Sequence, residues 1–224
     1  MIYPAHPNTI GKYLNIDSWK QAWEVNNIGF HKSRPHPLLV QYFTELNLRE
    51  GSRVFLPLCG KTLDIAWMLS QGYQVIGVEV SQLAIDQLFQ ELGISPEITE
   101  AGKFTIYLAK NICILNGDVF DLSREAIGEV DAIYDRAALV ALPRDLRIKY
   151  TKHLIQISES APQLVITFEY DQSMKTGPPF SLDAAEINSH YNETYDLKLL
   201  ESYPLPGGLR GTKVANENIW LLKK

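Results

Sequence analysis

Two cysteines, Cys59 and Cys113, are too few for a disulfide framework in a chain of 224 residues and fit a reducing compartment. The five histidines, at 6, 31, 36, 153 and 190, include no pair at metal-ligand spacing, so no metal site is expected. No apolar run approaches the ~20 residues that span a bilayer, which argues against a membrane partner. Met1 to Lys12 lacks the apolar core of a secretory signal, so the expected location is the cytoplasm. Basic charge is scarce as well. Lysine and arginine number 21 against 26 acids, the net charge is −5, and no basic cluster reverses that balance, so a nucleic-acid partner is not expected. The chain also has no G-x-S-x-G elbow, no P-loop, no Cys/His pairing of a hydrolase and no internal repeat.

What is present is enough apolar material, 46% of residues, to fill one core, and the expectation is a single domain over 1–224. The centre of the pattern is Arg53-Val-Phe-Leu-Pro-Leu-Cys-Gly-Lys61. Val54, Phe55, Leu56 and Leu58 form a short apolar run, as in a strand covered on both faces. Pro57, Cys59 and Gly60 break it, and Gly60 lets backbone approach a ligand closely. Leu63, Ala66, Trp67 and Ser70 then recur at helical spacing, with Gly72 as the stop. A second strand, Gln74 to Glu79, ends in a carboxylate. Strand, glycine turn, helix and acid-ended strand make a nucleotide-binding βαβ unit in which the acid accepts bonds from ribose hydroxyls. A pyrophosphate would need several glycines, and only Gly60 is there, which decides against NAD. A phosphate-free nucleoside such as S-adenosylmethionine and a plain βαβ with no ligand both remain open on this stretch.

Along the rest of the chain, residues 1–16 read as an irregular arm and 17–47 as a helical cover. Trp19 and Trp23, four apart, share a helix face, and Phe30 follows closely. Such aromatics suit a purine or a sulfonium, or simply pack a helix onto the sheet. A second helix is expected at about 38–47. After the second strand, Ser81 caps a helix that Gly93 closes. Phe104 to Asn116 reads as a hairpin-like pair around Lys110-Asn111. Asp118 and Val119 follow it at the carboxyl edge of the sheet, where an adenine could sit, although Asp118 could equally cap the next turn. Val130 to Tyr134 is another strand, ending in Asp135-Arg136 at the same edge. Pro143 opens a long helix to about Ser160, and Gln163 to Tyr170 is a fifth main strand. The loop 172–181 carries Pro178 and Pro179. A helix at about 183–191 and two terminal strands, 197–200 and 218–222, complete the chain. The βαβα alternation implies an α/β fold, a doubly wound and mainly parallel sheet with helices on both faces.

Several of these stretches coincide with one family. Trp19-x-x-x-Trp23, Gly29-Phe-His31, Arg53 to Lys61, Val75 to Ser81, Asp118 to Leu122, Tyr134 to Pro143 and Gly177-Pro-Pro-Phe180 resemble, in order, the thiopurine S-methyltransferase family in its bacterial form. The resemblance implies a seven-stranded, Rossmann-like class I methyltransferase fold and S-adenosyl-L-methionine as cofactor. Its acceptor would be a small aromatic or heterocyclic thiol, with selenium and tellurium compounds as a family-level association. Carried over residue by residue, it places Trp19, Trp23, Phe30, Leu58, Gly60, Glu79, Asp118, Val119 and Arg136 at the cofactor. It places Phe30, Arg136, Phe180 and Arg210 near substrate. Arg136 would steady an anionic thiolate, with Asp135 orienting it as the second catalytic residue. Methyl transfer needs no protein nucleophile, so Cys59 reads as a small turn residue. The aromatic segment and the 172–181 loop would close over the ligand, and the protein would act as a monomer. Competing readings are a halide, thiocyanate or small-thiol methyltransferase and a non-catalytic S-adenosylmethionine binder.

Overall fold

The computed structural model describes residues 16–209 and 211–224. The arm expected at 1–16 lies, up to residue 15, outside the described residues, as does Arg210. The elements, in chain order, begin with α1 (Ile16–Glu24), α2 (Pro37–Tyr42), β1 (Arg53–Pro57), α3 (Leu63–Ser70), β2 (Gln74–Glu79) and α4 (Gln82–Leu92). Next come β3 (Glu97–Ala101), β4 (Phe104–Ala109), β5 (Ile112–Asn116), α5 (Arg124–Ile127), β6 (Ala132–Arg136) and α6 (Arg144–Ile157). The chain closes with β7 (Gln163–Tyr170), α7 (Ala184–Tyr191), β8 (Asp196–Pro204) and β9 (Ala215–Lys223).

One sheet holds nine described strands in the order β3-β4-β5-β2-β1-β6-β7-β9-β8. This corrects the expected seven. The five central strands, β5 to β7, run parallel, and each flank is an antiparallel wing. The hairpin-like pair expected over 104–116 is β4 and β5, turning at Asn111, which takes a left-handed φ of 63°. The strand that was not expected is β3, which is exposed at every position and so carries no buried face for periodicity to reveal. The helix expected over 38–47 stops at Tyr42 and tightens into a 3₁₀ turn, Phe43–Leu46, closed by Asn47 in the left-handed region.

Alternation along the central strands sorts side chains onto two faces. Val54, Leu56 and Val75 pack with Leu39 of α2, Ile65 and Met68 of α3, and Leu88 and Phe89 of α4. Phe55, Ile76 and Val78 pack on the other face with Tyr150 and Leu154 of α6 and Ile187 of α7. Helices therefore cover both sides, and the parallel strands become continuous apolar runs. A buried polar network ties the N-terminal cover to this frame. Asp64 accepts the His36 backbone N–H at 2.7 Å and the Tyr134 hydroxyl at 3.1 Å, while His36 Nε2 meets Glu217 Oε1 at 3.0 Å. Among the described residues, no helix is long and apolar enough to cross a membrane.

Candidate active site

The parallel strands all end at one edge, and a cavity of about 330 Å³ opens there. Its floor is the turn after β1. Cys59 N–H extends the pairing with β2 by donating to Val78 O at 3.0 Å. Leu58 and Gly60 both sit at left-handed φ, 48° and 53°. A Cβ at Gly60 would lie 2.8 Å from Trp23 Cζ2, so the missing side chain is what lets the indole rest on the turn. Thr62 then caps α3 by accepting from Asp64 N–H.

Glu79, at the end of β2, is buried and faces this turn. Its Oε2 accepts Gly60 N–H at 2.9 Å and its Oε1 accepts Ser81 N–H at 2.8 Å. Burial raises its pKa, and the Ser81, Gly60 and Val80 N–H groups pull it back. A carboxylate has about four lone-pair sites, so each oxygen retains acceptor capacity beyond its backbone bond. Asn116 of β5 fixes the same corner by donating to Glu79 O at 2.9 Å.

The roof is aromatic. The rings of Trp19 and Trp23 stand edge-on to Phe30, at 6.0 and 5.5 Å between centroids, and all three line the cavity. Trp23 is buried, with its indole against the Gly60 turn, while Trp19 is half-buried. Asp118 lines the cavity and caps the 3₁₀ turn Val119–Asp121 by accepting from Phe120 N–H at 3.0 Å. Val119 O in turn accepts from His153 Nε2 of α6 at 2.9 Å.

The far wall follows β6. Arg136 and Ala137 line the cavity, Ala137 at a left-handed φ of 63°, and Ala141, Leu142 and Leu146 continue the wall. Thus all nine positions expected at the cofactor (Trp19, Trp23, Phe30, Leu58, Gly60, Glu79, Asp118, Val119 and Arg136) meet around one cavity.

Two expectations require correction. Asp135 does not line the cavity and does not orient Arg136. Neighbours in a strand point to opposite faces, and Asp135 points into the core beneath α6. There Oδ1 accepts Leu139 N–H at 3.0 Å and Oδ2 accepts the Tyr150 hydroxyl at 2.7 Å. Burial pushes its carboxyl up to about 6 against those bonds. Phe180 is also outside the cavity wall. Its ring lies 5.5 Å from the Arg147 guanidinium, and its N–H donates to Val140 O at 2.7 Å. No residue of the 172–181 loop lines the cavity. The loop is fastened within itself by Ser181 N–H to Gln172 Oε1 at 2.7 Å and to the end of β7 by the Tyr170 hydroxyl, which donates to Pro179 O at 2.5 Å.

Three polar residues in the wall were not among the expected site residues. His31 lies beside Phe30, Lys61 pairs with Glu91 at 2.6 Å, and Thr62 is the α3 cap. Their signal was adjacency, since His31 and Lys61 belong to the stretches Gly29-Phe-His31 and Arg53 to Lys61 and Thr62 follows the second. Burial lowers the His31 pKa, as do the nearby Lys61 and Arg136 cations, with Glu91 acting oppositely. Among the described residues, no group of His, Cys, Asp and Glu could hold a metal ion.

Comparison with known proteins bears on the family and the fold. A profile of the family described as thiopurine S-methyltransferase matches residues 14–224. A thiopurine S-methyltransferase of Xanthobacter autotrophicus is 45% identical over 212 residues, covering 94% of this chain and 100% of the relative. One from Teredinibacter turnerae is 46% identical, covering 94% and 98%. Among solved structures, the 1,6-didemethyltoxoflavin-N1-methyltransferase of Burkholderia thailandensis, bound to S-adenosylhomocysteine, superposes with a TM-score of 0.65 at 14% identity. The match covers 100% of this chain and 93% of that one.

Proposed function

Since the chain belongs to the thiopurine S-methyltransferase family, we propose that it transfers a methyl group from S-adenosylmethionine to the sulfur of an aromatic or heterocyclic thiol. The observation that carries the reading is the single cavity around which Glu79, Gly60, three aromatic rings and Arg136 converge. The residues present fit this cofactor. Glu79 offers a buried carboxylate with spare acceptor capacity for ribose hydroxyls. The bare Gly60 leaves room for close approach, and aromatic faces attract a sulfonium. Asp118 and Val119 would flank the base.

Bound S-adenosylmethionine supplies an electrophilic methyl group, so the protein's task is alignment and exclusion of water. Trp19, Trp23 and Phe30 cover the reacting end. Arg136 holds the acceptor's negative charge in place, and its fixed cation favours a thiolate over a thiol. Phe30, Ala141, Leu142 and Leu146 give the cavity apolar walls, which favour a flat organic acceptor over a halide or thiocyanate ion.

Titration calorimetry with S-adenosylhomocysteine, followed by a methyl-transfer screen over aryl thiols, heteroaryl thiols and halides, tests the reading. Binding together with S-methylation of aryl thiols is the expected result. Binding without turnover of any acceptor would leave a sensor protein, and no binding at all would remove the cofactor assignment.

A further inference from the structure

We propose that His31 takes the proton from the acceptor thiol, an assignment that rests on the methyl-transfer reading above. The titratable side chains that line the cavity among the described residues are His31, Cys59, Lys61, Glu79, Asp118 and Arg136. Glu79 is buried, and the reading above commits its remaining acceptor sites to the ribose hydroxyls. Asp118 holds the Phe120 N–H with one oxygen and is committed by the same reading to the base of the cofactor. Lys61 is closed into an ion pair with Glu91. The Cys59 thiol is buried, and burial pushes its pKa well up, so it stays protonated. Arg136 is a permanent cation with no lone pair to offer. His31 alone in this set combines a partly exposed ring with a nitrogen lone pair.

The charges around it suit the role. Partial burial disfavours the imidazolium, Lys61 and Arg136 add to that, and Glu91 opposes it. The surroundings therefore favour the neutral ring, the form that can accept a proton. The same cations favour a thiolate, so they help the proton leave sulfur. Partial exposure then gives the proton a way out to water. His31 is also well held. Its N–H donates to Ile28 O at 2.8 Å, its neighbour Phe30 packs on two indoles, and His36 is anchored in the Asp64 network.

The step balances. The acceptor S–H bond breaks, its proton moves to a His31 ring nitrogen, and its electron pair stays on sulfur. That pair forms the new S–C bond to the methyl carbon, while the old sulfonium–carbon pair departs with the leaving thioether. The imidazolium then loses its proton to water.

The test uses two thiols of opposite ionisation, 4-nitrothiophenol, already a thiolate at neutral pH, and benzyl mercaptan, still protonated. In His31→Ala, kcat/KM at pH 7 should fall roughly 100-fold for benzyl mercaptan and less than about 3-fold for 4-nitrothiophenol, since only the first thiol needs a base. S-adenosylhomocysteine affinity by calorimetry should stay within about 3-fold, because His31 is not assigned to the cofactor. Independently of turnover, the His31 Cε1–H resonance of the wild-type chain should titrate below the ordinary histidine value of 6.5. Equal losses for both thiols, or a resonance titrating above that value, overturn the assignment while leaving the methyltransferase reading intact. A wild-type chain that binds S-adenosylhomocysteine yet methylates neither thiol overturns that reading and this one with it.

Discussion

Glu79 and Asp135 are the same kind of residue in the same kind of place. Each is a buried acid at the carboxyl end of a parallel strand, and burial raises the pKa of each. Each also accepts a bond from the backbone of the turn that follows, Ser81 N–H in one case and Leu139 N–H in the other. What differs is strand parity. Glu79 follows Val75 on the face covered by α2, α3 and α4, and its carboxylate reaches the cavity. Asp135 follows Ile133 on the opposite face and meets Tyr150 of α6. An acid at the ligand edge of a sheet is therefore available to a ligand only if alternation delivers it there. Glu79 faces the cavity, while Asp135 shapes the wall by holding the 136–139 turn.

Removing both carboxylates in turn should separate the two roles most sharply. Glu79→Ala deletes the proposed ribose acceptor and leaves the Gly60 and Ser81 N–H groups without their partner. S-adenosylhomocysteine affinity should fall by about 100-fold, or about 3 kcal/mol, the loss of one or two charge-assisted bonds. Asp135→Ala should leave that affinity within about 3-fold, because its carboxylate never meets the cavity, while lowering Tm through two orphaned donors. Calorimetry giving the same loss for both would break the distinction.

A smaller effect appears in the pH dependence of stability. The Asp135 carboxyl moves from 3.8 to about 6 on folding. A raised acid contributes stability that is complete below 3.8 and is lost as pH rises through about 6. The full displacement corresponds to on the order of 3 kcal/mol. Asp135→Asn should flatten the urea-unfolding curve of stability against pH across that window, relative to wild type. An unchanged slope would mean the carboxyl is not responsible.

The same comparison shows what the sequence disclosed. The turn Leu58-Cys-Gly60, the acid closing β2 and the Asp118-Val119 pair were legible because each adjoins a strand end in the chain, and strand ends in such a sheet converge. Asp135 and Arg136 looked like one functional pair because they are adjacent, yet adjacency within a strand is what sends two side chains apart. Phe180 looked like a substrate contact from its motif. Its actual partners, Val140 O and the Arg147 guanidinium, lie on other elements and leave no local trace. β3 was invisible for a related reason, since a strand paired along one edge and exposed throughout has no apolar alternation. His31 was visible as a letter beside Phe30, but its chemistry depends on Lys61 and Arg136, which only the fold brings near.

The finest contrast lies between two strained residues, Leu58 after β1 and Ala137 after β6. Leu58 and Ala137 both line the cavity with left-handed φ, 48° and 63°, where L-residues without a polar side chain are costly. Glycine relieves that strain at either site but gives the unfolded chain more freedom. At Ala137 only a methyl group is lost, so Ala137→Gly should raise stability by about 1 kcal/mol or less. In a chain of this size that is a Tm gain of about 2–4 °C at most. At Leu58 the side chain packs against the core that contains Phe55 and Val78. Leu58→Gly should therefore lower Tm, because losing that packing outweighs the relief of strain. Opposite signs in a thermal melt are the expected outcome. A matching fall at both sites would show that the Ala137 methyl is needed in the wall.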